Sequence, residues 1–325
     1  MELDPYRHDP DRWGASLVQL AEIMLPCLDA AGARSVAEVG AFAGDLTRVL
    51  AEWAAQSGAR VTAVDPAPLP PLLELERDRP ELELIRRTSL EALPEMAPPD
   101  AVVIDGDHNY FTVSEELRVI AERAPAGGLP LLLFHDVAWP HARRDDYYAA
   151  ELIPAEHRHP TAGEDGGLVP GEPEVRPGGL PYPRSARREG GPRNGVLTAV
   201  EDFVARHDGL RLVVVPAFFG FGVVWHRDRP WAAAVAAILD PWDRNPVLER
   251  LEENRVHHLA RGHVRLVEAD VERARRARQE ALLRRMLESS AFAVAERLSR
   301  LRVRAGIAPA QSEISRDEIR RALAD

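Results

Sequence analysis

The sequence predicts an α/β protein with a doubly wound, mostly parallel sheet, an antiparallel hairpin at one sheet edge and a helical C-terminal extension. Short apolar runs alternate with helical patterns between residues 31 and 134, which is typical of a parallel sheet with crossover helices. Two later runs, 210–215 and 220–225, have no helix between them and indicate an antiparallel hairpin. Beyond residue 229 the pattern is almost entirely helical.

The elements divide the chain into three segments. Residues 1–30 are predicted to provide a cover helix, which Pro26 kinks or divides. Residues 31–228 are predicted to form the sheet domain, of Rossmann-like type, and residues 229–325 the helical extension. Strand-like runs in the sheet domain occupy residues 35–39, 61–64, 82–85, 101–104, 131–134, 210–215 and 220–225.

An insert at residues 139–194 breaks this alternation with proline, glycine, arginine and acidic residues. Long segments without a helix or strand pattern are either active-site lids or flexible loops. The position of the insert directly after a predicted strand favours a lid. Arg143 and Arg144 at its start could pair with an anionic ligand group or remain solvated.

Composition excludes several classes of function. The net charge of −11 argues against nucleic acid as a partner, because phosphate backbones are held by excess positive charge. All 41 basic residues are arginine, so Schiff-base chemistry and a P-loop lysine are excluded. Cys27 is the single cysteine, and no segment is typical of a signal peptide or a membrane span, which predicts a cytoplasmic protein with no membrane partner.

The helical extension carries a weak apolar stripe with many charged residues around it. Val267, Val271 and Met286 belong to the stripe, which Gly262 interrupts. This pattern favours a packing or oligomerisation appendage, with a homo-oligomer formed through these helices. The arginines at 273–278 are better explained as a solvated helix face than as a basic patch.

A glycine loop follows the first strand, in the sequence VAEVGAFAGD at residues 36–45. Gly40 and Gly44 are spaced GxxxG instead of the GxGxxG of dinucleotide-binding proteins. The loop residues Glu38, Gly40, Ala41 and Gly44 are predicted to face a cofactor, or Glu38 simply caps the loop.

Two more residues are predicted on the cofactor side of the sheet edge. Asp65 ends the second strand, where a carboxylate can accept hydrogen bonds from ribose hydroxyls or cap the loop. Ser89 follows the third strand and is predicted either to contact an adenine or to cap a helix.

Polar residues also follow the fourth and fifth strands. The fourth runs into DGDHNY at residues 105–110, and the fifth runs into His135 and Asp136. Because parallel strands end at the same edge of a sheet, these clusters are expected to lie side by side near the glycine loop. The alternative is that Asp105, Asp107 and His108 form only a hydrogen-bonded turn.

The glycine loop resembles motif I of class I S-adenosylmethionine-dependent methyltransferases. The IDGDHxY and HD patterns resemble a subfamily that includes metal-dependent, macrocin-type sugar O-methyltransferases and relatives described as cephalosporin hydroxylases; the resemblance covers residues 34–228. It implies S-adenosylmethionine as cofactor, Asp105 and Asp136 as ligands of a divalent metal, and His108 as catalytic base. Asp105 is also expected near the cofactor.

One residue departs from this pattern. His135 stands where sugar methyltransferases of this subfamily carry an acid. An imidazole suits a transition metal better than Mg²⁺, because Mg²⁺ prefers oxygen ligands. The metal site is therefore predicted to comprise Asp105, His135 and Asp136, with Mg²⁺ and transition metals both open.

These residues predict a metal-assisted O-methyltransferase that acts on a sugar-like or natural-product hydroxyl of a small-molecule acceptor. A second hypothesis is a non-catalytic cofactor-binding or assembly protein on the same scaffold. A third is a nicotinamide-dependent oxidoreductase, which also uses an acid after the second strand but for which the GxGxxG spacing is missing.

Overall fold

The computed structural model describes residues 17–125, 128–164, 166–309 and 315–322. Its strands are β1 to β7, in order Ser35–Val39, Arg60–Val64, Leu82–Ile85, Ala101–Ile104, Leu131–His135, Leu210–Val215 and Phe221–His226. Its α-helices are α1 to α10, in order Ala21–Ala31, Asp45–Ser57, Pro70–Asp78, Ser89–Ala92, Tyr110–Arg123, Val196–Arg206, Ala232–Leu239, Pro246–Glu288, Ser290–Arg304 and Arg316–Ala322.

The seven strands form one sheet in the order β3-β2-β1-β4-β5-β7-β6. The first five strands are parallel, and β7 runs antiparallel to both β5 and β6. The predicted fold class is therefore confirmed, including the antiparallel hairpin at the edge.

Both faces of the sheet are covered by helices. The central strands β4 and β5 are buried along their whole length, because their side chains alternate between two apolar clusters. Helices α1, α2 and α7 pack on one face, and α5 and α6 pack on the other. This burial explains why β4 and β5 read as continuous apolar runs instead of alternating ones.

The N-terminal cover helix begins as a 3-10 helix at Leu17–Leu20 and continues as α1. Pro26 lies inside α1, so the helix is not divided there. Gly32 ends it in a left-handed conformation at φ 65°. Residues 1–16 of this predicted segment lie outside the described residues.

The chain forms two compact units, divided between Ala260 and Arg261. The first contains the sheet together with α7 and the first turns of α8. The second is helical, and α8 runs through Gly262 without a break. In the described part of the chain, no helix is long and apolar enough to cross a membrane.

Candidate active site at the carboxyl edge of the sheet

The ends of β1 and β4 lie side by side at the point where the strand order reverses. The backbone N–H of Asp105 donates to the carbonyl of Val39 at 3.0 Å, and that of Gly40 donates to the carbonyl of Val64 at 2.9 Å. Ligands of open α/β sheets bind at such a switch point. The loops after β1 and β4 therefore form the candidate ligand site.

The glycine loop makes its closest approach to the protein itself. Gly40 has φ +87°, and a Cβ on it would lie 2.1 Å from the carbonyl oxygen of Asp105. Gly44, which begins α2 at φ +82°, would bring a Cβ within 3.2 Å of Leu72. Ala41 between them is buried. Backbone packing alone thus accounts for both glycines, whatever the loop binds.

Glu38 is buried at the end of β1, beside the first turn of α2. Its Oε2 atom is buried and makes no hydrogen bond of good geometry in the described part of the chain, although the Thr47 hydroxyl lies close enough to lower the pKa of the carboxyl group. Burial raises the pKa of Glu38 to about 8. A buried carboxyl group that lacks a partner is costly, so this position suits a ligand that donates hydrogen bonds or carries positive charge.

Asp65 is occupied by backbone groups of two loops. Its carboxylate accepts the N–H of Phe42 at 2.7 Å and the N–H of Ala67 at 2.8 Å. These bonds fix the glycine loop, as the loop-capping interpretation of Asp65 predicts. A carboxylate has further acceptor positions, so the bonds also leave room for a ligand.

Ser89 lies at the start of α4 and is buried. Its hydroxyl donates to Glu116 of α5 in a short hydrogen bond. The helix is capped by Thr88 and Glu91 instead, so the capping role considered for Ser89 is wrong. Burial raises the pKa of Glu116 to about 8, and its Oε2 atom has no partner within the described residues. Sequence reasoning missed Glu116 because it lies on a helix and interacts across a long sequence separation.

The polar clusters after β4 and β5 converge. One ligand atom each from Asp105, His135 and Asp136 lies within 4.8 Å of the others. Nδ1 of His135 is 3.1 Å from Oδ1 of Asp105 and 3.5 Å from Oδ2 of Asp136. The parallel pairing of β4 with β5 produces this arrangement, since it brings both strand ends to one position.

A backbone carbonyl orients the His135 ring. Nε2 of His135 lies 2.9 Å from the carbonyl oxygen of Phe218, which can only accept a hydrogen bond. The proton on Nε2 is therefore fixed, and Nδ1 faces the two carboxylates. The lone pair of an unprotonated Nδ1 would repel the lone pairs of the carboxylate oxygens. The space between Nδ1 and these oxygens therefore requires either a proton or a cation.

The charges in this cluster shift its pKa values strongly. Burial alone would lower the pKa of His135, but Asp105 and Asp136 outweigh it and raise the pKa to about 10. Burial alone would raise the pKa of Asp105, but His135 and His108 hold it well below its usual range. In the metal-free protein the cluster therefore holds its protons on imidazoles.

His108 lies beside this cluster, at the start of α5. Its Nε2 is 3.2 Å from Oδ2 of Asp136 and 3.5 Å from Oδ1 of Asp105. Burial would lower its pKa, but Asp136 and Asp105 raise it to about 9. Asn109 caps α5 by accepting the N–H of Thr112 at 2.8 Å, which fixes the loop that carries His108.

The insert supplies three further rings near His108. His141 and Tyr148 contact the His108 ring, with centroid distances of 5.2 and 5.4 Å. Tyr182 contacts His141 at 5.4 Å. The sequence signal for these residues was only their place in the insert after β5, which does not single out individual side chains.

The insert is packed and hydrogen-bonded. The backbone N–H of Asp146 donates to the carbonyl of His108 at 2.9 Å, and the N–H of Tyr148 donates to Asp107 at 3.0 Å. Arg144 is buried and donates to the carbonyls of Ala186 and Pro173. Its role is therefore structural, in contrast to both roles considered from the sequence.

Arg143 likewise has a protein partner. Its guanidinium pairs with Glu201 of α6 at 2.6 Å and donates to Thr198 at 3.1 Å. It therefore ties the start of the insert to α6.

The sequence matches a known family over part of this region. Residues 37–137 match a family model described as a methyltransferase domain. No curated protein matches the chain. The matched segment begins in β1 and ends just after Asp136, so it includes the glycine loop and both polar clusters.

Solved structures with a similar fold have low sequence identity to the chain. The S-adenosylhomocysteine-bound methyltransferase of Podospora anserina is 14% identical, covers 70% of this chain and 86% of its own, and has a TM-score of 0.40. An O-methyltransferase family protein of Burkholderia thailandensis is 16% identical, with 71% and 64% covered and a TM-score of 0.38. The N-methyltransferase NodS of Bradyrhizobium japonicum is 12% identical, with 68% and 94% covered and a TM-score of 0.37. The family match supports a methyltransferase domain, built on the strands whose carboxyl ends carry the candidate site.

Proposed function

We propose that this protein is an S-adenosylmethionine-dependent methyltransferase that methylates a hydroxyl group of a small molecule, sugar-like or natural-product in type, with the help of a divalent metal. The observation that carries the proposal is the convergence of Asp105, His135 and Asp136 beside His108. This cluster lies within the segment that matches a methyltransferase domain.

The cofactor-binding residues we propose surround the loops after β1 to β4. The buried and unpartnered Oε2 of Glu38 supports this role, since a positively charged or hydrogen-bonding ligand would satisfy it. S-adenosylmethionine, when bound, supplies a methyl group on a positively charged sulfonium. The residues proposed to hold it are Glu38, Gly40, Ala41, Gly44, Asp65, Ser89 and Asp105.

The metal ligands we propose are Asp105, His135 and Asp136. Two carboxylates and one imidazole form a mixed oxygen and nitrogen set, which suits transition metals such as Mn²⁺ as well as Mg²⁺. A divalent cation there would supply Lewis-acid stabilisation of an ionised hydroxyl. The convergence of the three groups, with Nδ1 of His135 facing both carboxylates, supports a cation at this position.

His108 is the catalytic base in this proposal. Its side chain is 14% exposed, but its ring nitrogens are buried next to the ligand cluster and beside the rings of His141 and Tyr148. Asp136 and Asp105 raise the pKa of His108 in the metal-free protein, and a cation bound to both would offset their charge, so that His108 could take the hydroxyl proton of the acceptor. The insert, which is bonded to the His108 loop, would cover the acceptor as a lid.

We further propose a cytoplasmic protein that associates through its C-terminal helices. Val267, Val271 and Met286 of α8 are 45, 64 and 51% exposed, which leaves apolar surface for a second copy of the chain. The charges among them pair along the helix, as in Arg276 with Glu272 at 3.3 Å. The charge balance and composition support neither nucleic acid nor a membrane as partner.

Calorimetry with S-adenosylmethionine tests the cofactor assignment. Saturable binding of S-adenosylmethionine is expected, and an absence of binding at millimolar concentrations would contradict the proposal. Thermal shifts with S-adenosylmethionine and with NAD separate a methyltransferase from an oxidoreductase, because only the former is stabilised by S-adenosylmethionine.

Turnover is tested by the formation of S-adenosylhomocysteine with a panel of diol, sugar and phenolic acceptors. We expect activity to be lost with a chelator and restored by Mg²⁺ or Mn²⁺. Asp136→Ala is expected to reduce turnover at least ~100-fold while cofactor affinity stays nearly unchanged. Unchanged turnover in Asp136→Ala would refute the metal role.

A further inference from the structure

The first turns of α8 contact the turn between β6 and β7. The buried carboxylate of Glu252 accepts the backbone N–H groups of Phe218 at 3.1 Å and Phe219 at 2.8 Å. Arg255, one helical turn later, donates to both oxygens of the same carboxylate, at 2.7 and 2.6 Å. Bidentate pairing of this kind fixes orientation as well as charge. Glu252 is therefore held from both sides.

The turn that Glu252 holds is strained. Phe218 has φ 51° and Phe219 has φ 66°, so two successive residues with large side chains adopt the left-handed conformation. This costs roughly 1–2 kcal/mol for each residue and persists only where the surroundings impose it. The guanidinium carbon of Arg255 also lies 4.4 Å from the ring centroid of Phe219. The contacts with α8 therefore help to hold this conformation.

The carbonyl groups of the same two residues reach the end of β5. The carbonyl of Phe218 binds Nε2 of His135 at 2.9 Å, and the carbonyl of Phe219 accepts the N–H of Ala138 at 2.7 Å. Between these two contacts lies Asp136, which itself has φ 56°. The turn therefore constrains the chain on both sides of Asp136.

We propose that Glu252 and Arg255 are positioning residues, which act through the Phe218–Phe219 turn to hold His135 and Asp136 in the geometry that binds a divalent cation. The inference rests on the proposed function for the identity of the metal ligands. Groups that orient a metal-bound histidine typically contribute 10–100-fold to metal affinity. In this chain that support comes from the C-terminal extension, which lies outside the segment that matches a methyltransferase domain.

Calorimetric titration of the metal-free protein with Mn²⁺ tests this role. In Glu252→Gln the amide nitrogen faces a backbone N–H donor, and Arg255 loses its bidentate partner. We expect about 10–100-fold weaker Mn²⁺ binding, with unchanged affinity for S-adenosylmethionine. Glu253→Gln, at an exposed neighbouring position of the same helix, is the matched control and should bind Mn²⁺ like the wild type.

Proton exchange of the His135 ring gives a readout that does not depend on metal. In the metal-free protein the Nε2 proton of His135 is hydrogen-bonded and buried, so its NMR signal should exchange slowly with solvent. Glu252→Gln should accelerate this exchange, and Glu253→Gln should not. Arg255→Lys keeps the charge without the bidentate geometry and should shift both readouts in the same direction as Glu252→Gln. It provides the test if Glu252→Gln does not fold.

The outcomes separate this inference from the proposed function. If the wild type binds Mn²⁺ and the variants at 252 and 255 match Glu253→Gln in both readouts, the positioning role is overturned while the metal site stands. If the wild type binds no Mn²⁺ but exchange accelerates in Glu252→Gln, the positioning of His135 is supported and the metal part of the proposed function fails.

Discussion

The polar residues at the two halves of the carboxyl edge differ in how far contacts within the protein account for them. At the ends of β1 and β2, Gly40 packs against the Asp105 carbonyl and Asp65 binds two backbone N–H groups. At the ends of β4 and β5, Asp105 and Asp136 face Nδ1 of His135. Nδ1 can bind these carboxylates only if a proton or a cation lies between the nitrogen and the oxygens. Apart from Glu38, these residues of the first half have partners within the protein, whereas the carboxylates of the second half are neutralised only by protonated imidazoles.

This difference shows which residues carry functional information. A glycine loop has structural reasons to exist, so its presence alone does not identify a ligand. Two carboxylates and an imidazole that converge in a largely buried place have no comparable structural reason, because burying ionised groups costs free energy even when they are paired.

The largest effect is expected at His108. His108→Asn removes the proposed base but keeps a polar side chain, so turnover should fall by about 10²–10⁴-fold while S-adenosylmethionine affinity changes little. Formation of S-adenosylhomocysteine measures turnover, and calorimetry measures the affinity for S-adenosylmethionine. His157→Asn is the control, because His157 only stacks on Phe111 at a centroid distance of 4.7 Å. Equal turnover in the two variants would rule out His108 as the base.

A large effect on stability is expected at Gly40. Gly40→Ala introduces a Cβ into the Asp105 carbonyl at φ +87°, so the free energy of unfolding should fall by roughly 2–4 kcal/mol. Urea unfolding without cofactor measures this loss. Gly58→Ala, at φ +69° with no atom within 4 Å of the added Cβ, should cost only about 1 kcal/mol.

Gly40→Ala and Gly58→Ala also test whether contacts within the protein account for the glycine loop. If Gly40→Ala leaves the free energy of unfolding unchanged but abolishes S-adenosylmethionine binding, the glycine serves the ligand and not the protein, and the structural explanation of the loop is wrong.

A smaller, pH-dependent effect is expected at Glu116. Its pKa is raised by burial from 4.5 to about 8. Between these pH values the native state keeps a proton that the unfolded chain has lost, so the stability of the wild type falls as pH rises. Gln has no such proton. Glu116→Gln should therefore match the wild type below about pH 4 and exceed it by about 1 kcal/mol or more at pH 8.

Urea unfolding at several pH values measures the effect at Glu116. Glu122→Gln, at an exposed position of the same helix, is the control and should show a pH-independent difference from the wild type. A Glu116→Gln difference that is equally independent of pH would mean that Glu116 is ionised in the folded protein.

Topology made much of the fold and of the cluster of Asp105, His135 and Asp136 predictable. The strand pattern predicted that β4 and β5 are parallel neighbours, and parallel neighbours end at the same edge of the sheet. The proximity of Asp105 to His135 and Asp136 therefore follows from the sequence. The strand boundaries differ from the predicted ones by only a residue or so, for example Arg60–Val64 against 61–64.

The remaining contacts depend on long-range packing that periodicity does not reveal. Arg144 looks like a solvated charge in sequence, yet it is buried among carbonyls of the insert. Glu252 and Arg255 look like an ordinary pair on a charged helix. Only the fold shows that this pair holds the turn that orients His135.

Metal binding is the most direct test of the account. Calorimetric titration of metal-free wild type, Asp136→Asn and Asp105→Asn with Mn²⁺ compares the intact cluster with clusters that lack one charge. We expect one Mn²⁺ per chain in the wild type and at least ~10-fold weaker binding in each variant. Wild type that binds no Mn²⁺, or variants that bind it equally well, would contradict a metal site at the ends of β4 and β5.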